Sequence, residues 1–299
     1  IKPKKRIILL VGLILGLSAS IAFVFIRESL DNTVKTMSEI ESLGMKILTI
    51  VPIIGHHRKR KKKNGNGLSA SLERRLIIKE DPKSPVSEAY RTLRTSILYS
   101  NVDNKESKVI VVSSPGPSEG KTTTVSNLAI TYANLGKKTI LIDSDLRKSV
   151  LHKVFHKERK NGLSTFLSVK DSDMLDAIHK TDIENLSVMT SGPSPPNPSE
   201  ILGSKKMSGL LDTLKENYDI ILLDCPPIVA VTDALVLSKN MDSFILVCRS
   251  LVTQLGALER VLKNIEQVNS KLDGCVLNAL SNVNSYGSGY YYNYYQYYY

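Results

Sequence analysis

The sequence predicts a doubly wound α/β domain on a mostly parallel sheet, preceded by a transmembrane helix and followed by a disordered tyrosine-rich tail. Three observations carry this expectation. Between residues 72 and 280, short apolar runs alternate with helical patterns, as they do when strands are buried on both faces of a sheet. Residues 7–26 are apolar and uncharged. Residues 281–299 hold nine tyrosines and no charged side chain, a composition that builds no core.

The elements follow in chain order. Residues 7–26 (IILLVGLILGLSASIAFVFI) lie between Arg6 and Arg27. At 1.5 Å per residue they span about 30 Å, the thickness of a hydrocarbon core. A signal peptide is the rival reading, but its apolar region is usually only about 7–15 residues long. Residues 30–44 have helical spacing, and the apolar piece 47–54 is interrupted by Pro52. The basic stretch 55–71, with His56 and His57, reads as a flexible linker. From Pro85 to about Tyr99 a helix is expected. Strands are expected at 109–113, 139–142, 186–189, 220–223, 244–248 and 275–280, and helices after the turn at 114–120, at 208–217 and at 254–268. The chain thus divides into a span with its basic flank (1–29), a juxtamembrane region and linker (30–71), an α/β domain (72–280) and a tail (281–299).

The net charge of +11 is concentrated. Lys2, Lys4, Lys5 and Arg6 form one basic run and residues 58–63 a second. The rest is near neutral, which argues against a nucleic-acid-binding domain. Basic runs beside an apolar span fit anionic lipid headgroups, and the larger downstream run places the C-terminal part in the cytoplasm. Cys225, Cys248 and Cys275 have no CxxC or His/Cys cluster around them, so they read as buried core residues of a reduced domain. The first residue is Ile rather than Met, so the chain reads as a fragment, a processed chain or an engineered one.

The motifs sit at strand ends. The run Ser114-Pro115-Gly116-Pro117-Ser118-Glu119-Gly120-Lys121-Thr122 follows the strand ending at Ser113. Such a loop wraps backbone N–H groups around phosphates, and a helix starting after Gly120 directs its positive end at them. Gly116, Pro117, Ser118, Glu119, Gly120, Lys121, Thr122 and Thr123 are the candidate nucleotide-binding residues. Lys121 would reach the β/γ-phosphates and the Thr122 hydroxyl would bind Mg²⁺. The strict pattern has Gly where Pro115 stands. The segment ILIDSDLR (140–147) puts Asp143 and Asp145 just past a second strand, and ILLDCPP (221–227) puts Asp224 past a third. Ligands bind at the carboxyl edge of such sheets. Lys121, Asp143, Asp145 and Asp224 are the candidate catalytic residues of a MgATP site, with Thr122, Asp143, Asp145 and Asp224 the candidate metal-binding set.

Together these motifs resemble those of the bacterial tyrosine kinases, a branch of the P-loop NTPases related to the MinD and ParA proteins. The extra lysine that MinD and ParA proteins carry early in the loop is absent, since Gly116 stands there. The resemblance implies an ATP-dependent kinase that phosphorylates Tyr286, Tyr290, Tyr291, Tyr292, Tyr294, Tyr295, Tyr297, Tyr298 and Tyr299. A tail does not easily reach its own site and leave it repeatedly, so transfer in trans is expected. The resemblance also implies that Glu88, Arg91 and Arg94 match an ExxRxxR motif for self-association into a ring, an octamer. From spacing alone, an intrahelical ion pair on a solvated face leads for those three. Asp143 is the candidate to accept the tyrosine proton or to assist the metal. Arg147 contacts phosphate, a neighbouring subunit, or a structural partner.

The resemblance further implies capsule or exopolysaccharide synthesis and export as the process. Polysaccharide-assembly proteins and a cognate tyrosine phosphatase would be partners, and the N-terminal part resembles the end of a chain-length-determinant region. A membrane-organising ATPase without kinase activity is the alternative.

Overall fold

The computed structural model describes residues 5–53, 76–100, 108–169 and 172–280. The basic run 58–63, the two linker histidines and the tyrosine tail lie outside the described residues. The chain divides into two units, Ile1–Thr33 and Val34–Tyr299. In the first, Lys5–Ser29 is one helix, exposed along Leu9–Ser29 and long and apolar enough to cross a membrane.

The second unit is built on an eight-stranded sheet. Its strands are β1 (Ile47–Pro52), β2 (Val109–Ser113), β3 (Thr139–Asp143), β4 (Ile178–Lys180), β5 (Leu186–Met189), β6 (Ile220–Asp224), β7 (Ser243–Arg249) and β8 (Gly274–Leu280). Their order across the sheet is β1-β8-β7-β2-β6-β3-β5-β4. Every pairing is parallel except β4 with β5. All expected strands are present within a residue or so.

Alternation along the central strands feeds two cores. Val109, Val111, Ile140, Ile142, Ile221 and Leu223 face one, with Met207, Leu210 and Leu214 of helix Lys205–Asn217 and Leu258, Val261 and Ile265 of helix Leu255–Gln267. Ile110, Val112, Leu141, Ile220 and Leu222 face the other, under helices Pro85–Ser100 and Lys121–Ala133. The three cysteines are free and buried.

Two expectations are corrected. Residues 30–44 were expected to be helical, yet only Met37–Ser42 forms a helix. Asp31 accepts hydrogen bonds from the Thr33 amide and hydroxyl, and Val34 exchanges backbone bonds with Leu251 and Thr253. Those bonds hold the backbone out of a helix. The expected juxtamembrane piece at 47–54 also joins the sheet. Ile47–Pro52 pairs with β8 as an edge strand and buries Leu48 and Val51. Pro52 ends the strand, where a missing N–H is tolerated. The sheet therefore recruits a strand from before the linker. Sequence patterning also missed the short antiparallel β4.

Candidate nucleotide site

Parallel register brings the carboxylates to one place. Asp143 closes β3, Asp224 closes β6, and the two are direct register partners. By alternation both lie on the face covered by helix Lys121–Ala133. That helix begins immediately after the loop Ser114–Gly120, so Lys121 and Thr122 open its first turn at the same edge.

The expected residues converge. Lys121 Nζ lies 3.1 Å from Asp224 Oδ1 and 3.2 Å from Asp145 Oδ2. The Thr122 hydroxyl donates to Asp224 Oδ2 at 2.6 Å. Asp143 Oδ2 accepts from the Ser149 hydroxyl at 2.7 Å and the Leu151 amide at 3.1 Å. Its Oδ1 accepts from the Asp145 amide at 3.3 Å. The Lys148 amide donates to Asp145 Oδ1.

Three buried carboxylates face one ammonium, an excess of negative charge. Burial, reinforced by the charge of Asp224, pushes Asp143 up to about 7. Burial also raises Asp224, against the opposing pull of Lys121 and Thr122. For Lys121, burial works against the charge, but Asp224, Asp145 and Asp143 outweigh it and hold the ammonium above its ordinary range. Among the described residues no group of three or more His, Cys, Asp or Glu side chains forms a closed metal cage. Mg²⁺ does not need one, since it takes one or two carboxylates, waters and substrate phosphates. The hydroxyl and surplus carboxylates here fit that chemistry.

The loop itself is held by residues outside its motif. Ser118 and Gly120 both have positive φ, 63° and 97°. Arg249 Nη1 donates to the Ser118 carbonyl at 3.0 Å, and Asn278 Nδ2 to the Glu119 carbonyl at 2.9 Å. The φ of Gly120 disfavours any side chain, and a Cβ there would meet Asn278 Nδ2 at 2.1 Å and displace its bond to the loop. The Glu119 side chain points back into the protein. It accepts from the Gly116 amide at 2.8 Å and the Thr253 hydroxyl at 2.7 Å, and burial raises it to about 7. Sequence reading missed Arg249, Thr253 and Asn278. Asn278 offered a weaker signal than Asp224, a polar residue two positions before the end of an apolar strand.

Arg147 is held by protein partners. Its Nε and Nη2 lie 3.3 and 3.4 Å from the buried Asp233 carboxylate, and Nη2 is 3.2 Å from Ser199 Oγ. Glu88 and Arg91 form an intrahelical ion pair, and Arg91 also donates to the Pro82 carbonyl. Arg94 donates to the Thr131 carbonyl in the last turn of helix Lys121–Ala133 at 2.9 Å. A depression of about 440 Å³ lies beside this stripe, lined by Lys46, Glu88, Arg91, Thr92, Thr95, Ser96 and Tyr99.

Known proteins resemble this chain in sequence and fold. Residues 107–277 match a family model described as an AAA domain. The chain is 40% identical over 218 residues to the tyrosine-protein kinase YwqD of Bacillus subtilis, covering 72% of this chain and 91% of that one. It is 31% identical over 281 residues to the tyrosine-protein kinase wzc of Salmonella typhimurium, covering 94% of this chain and 39% of that one. The solved kinase domain of Escherichia coli tyrosine kinase ETK superposes with a TM-score of 0.72 at 26% identity, over 82% of this chain and 94% of that one. The chain thus spans most of the short relative, but only 39% of the Salmonella protein and 40% of a Klebsiella pneumoniae relative.

Proposed function

Because the chain belongs to the bacterial tyrosine-protein kinase family, we propose that it transfers the γ-phosphoryl group of ATP to tyrosines of its own segment 281–299. The observation that carries this reading is the cluster in which Lys121 bridges Asp145 and Asp224 while Thr122 holds Asp224. Phosphoryl transfer needs positioning and charge neutralisation more than covalent chemistry. Lys121 exchanges its two carboxylates for the β- and γ-phosphates. The loop amides of residues 118–123 and the positive end of the following helix hold the remaining phosphate charge. Thr122, Asp145 and Asp224 would hold Mg²⁺, which would supply positive charge to neutralise the phosphate oxygens. The phenol oxygen bonds to the γ-phosphorus as the bond to the bridging oxygen breaks. ADP leaves with that electron pair, and Asp143 is assigned the phenol proton.

The helix Lys5–Ser29 anchors the chain in the cell membrane, with the α/β unit in the cytoplasm where ATP is. The larger basic run downstream, residues 58–63, supports this orientation against the smaller run upstream of the helix. Copies assemble into a ring through the face carrying Glu88 and Arg91. The bond of Arg94 to the Thr131 carbonyl of the nucleotide helix gives that stripe a route to the site. The process served is capsule or exopolysaccharide assembly, with the polysaccharide machinery and a tyrosine phosphatase as partners.

The test is incubation of the purified chain with MgATP, followed by mass spectrometry of the tail. Wild type accumulates phosphotyrosine, and Lys121→Met loses at least about 100-fold in rate. Wild type that binds ATP but modifies no tyrosine would return the reading to an ATPase. Transfer between copies is tested by mixing. Lys121→Met chains should become phosphorylated when wild type is added.

A further inference from the structure

The turn that follows β6 is an apolar shelf locked beside the nucleotide loop. The Ser113 hydroxyl donates to the Pro226 carbonyl at 2.7 Å. The Ile228 amide donates to the Ser114 carbonyl at 2.9 Å, and the Val229 amide to the Pro115 carbonyl at 3.3 Å. The Ala230 and Val231 amides both return to the Pro227 carbonyl, closing the turn on itself. On its far side Asp233 is fixed by Arg147, which also reaches Ser199. The shelf is therefore tied at both ends to elements of the site. Yet Val229 is 41% exposed, and Ala230 beside it is exposed as well.

A turn five residues beyond Asp224 that is bonded to Ser114 and Pro115 and shows valine and alanine to solvent presents an apolar surface at the start of the nucleotide loop. We infer that Val229, with Ala230, is the acceptor-side platform on which the phenol ring of a tyrosine from segment 281–299 packs while its hydroxyl meets the γ-phosphate. This rests on the kinase reading above. Two observations select that occupant. The segment is uncharged and nearly half tyrosine, so its rings match an apolar shelf and bring no charge toward the carboxylates. It also leaves β8 at Leu280, on the same sheet edge as Asp224. Three strand spacings separate the two strands, about 14 Å, and the six residues from Leu280 to Tyr286 extend about 20 Å. A serine hydroxyl has no ring to rest on the shelf, so Val229 is a specificity-determining residue for phenol acceptors.

The experiment uses the full chain with saturating MgATP and a peptide of sequence Ser285–Tyr299 as acceptor. Val229→Ala and Val229→Asp are expected to raise the peptide KM about tenfold, leaving ATP affinity and kcat near wild type. Val229→Ile is expected to restore the wild-type KM. An unchanged peptide KM in Val229→Asp overturns the inference, and so does a parallel loss of ATP affinity, which would make the turn a support for the nucleotide loop. Failure of the kinase reading looks different, because wild type itself would then leave the peptide unmodified.

Discussion

Glu119 is only 2% exposed, and its carboxylate sits in the middle of the phosphate-binding loop. It ties Gly116 to Thr253. Its acid strength records that burial. In the unfolded chain the group titrates near 4.5, whereas in the folded chain it is raised to about 7. The folded state therefore binds this proton more tightly between those two values. The stabilisation is fully present at pH below 4.5 and is lost as pH rises through 7, so stability falls across that window. The whole effect amounts to about 3 kcal/mol at most. Glu119→Gln removes it. For the nucleotide-free chain in detergent, thermal unfolding at pH 5.5 and pH 8 should show wild type losing more stability than Glu119→Gln. Parallel pH profiles would mean that Glu119 titrates normally.

At the scale of elements, the edge strand β1 carries the least expected contact in the fold. Its pairing with β8 begins where the Cys275 amide donates to the Lys46 carbonyl at 2.8 Å. Gly274 precedes that bond, and a Cβ there would lie 2.4 Å from the Lys46 carbonyl oxygen. Gly274→Ala must push β1 off the sheet or break the register. The expected cost is about 2 kcal/mol, read as a Tm lower by roughly 5 °C. Gly209 gives the opposite case. It lies within helix Lys205–Asn217 with no atom within 4 Å of an added Cβ. Gly209→Ala should stabilise by about 0.5–1 kcal/mol, through the backbone entropy that glycine loses on folding. Equal Tm shifts in the two variants would show that contact with β1 does not decide the outcome at 274.

For the whole molecule, reach and charge bear on the proposed assembly. Strand order puts the end of β8 and the nucleotide site on one edge, so chain length allows the tail to meet either its own site or a neighbour's. Each phosphate adds about −1.5 to −2 charges. Nine tyrosines lie within residues 281–299, so full modification would concentrate a large negative charge on every copy of the proposed ring. Phosphorylated chains should therefore have a lower mass by light scattering than dephosphorylated ones. The difference should shrink at high salt, where screening shortens the repulsion. Identical masses for both forms would remove phosphorylation as the control on assembly.

The central strands, the loop Ser114–Gly120 and the carboxylates at 143, 145 and 224 were legible in the sequence. Each is a local pattern, an apolar run ended by a group that does chemistry, and local patterns survive without knowledge of neighbours. Tertiary structure decided the rest. That Asp143 and Asp224 face Lys121 depends on the register of β3 against β6. That Ile47–Pro52 is a strand of the sheet depends on β8, more than 220 residues later. The supports of the loop at Arg249, Thr253 and Asn278, and the partners of Arg147 and Arg94, are likewise long-range contacts. No spacing along a chain encodes which distant residue will fill a bond, because that choice is made by packing.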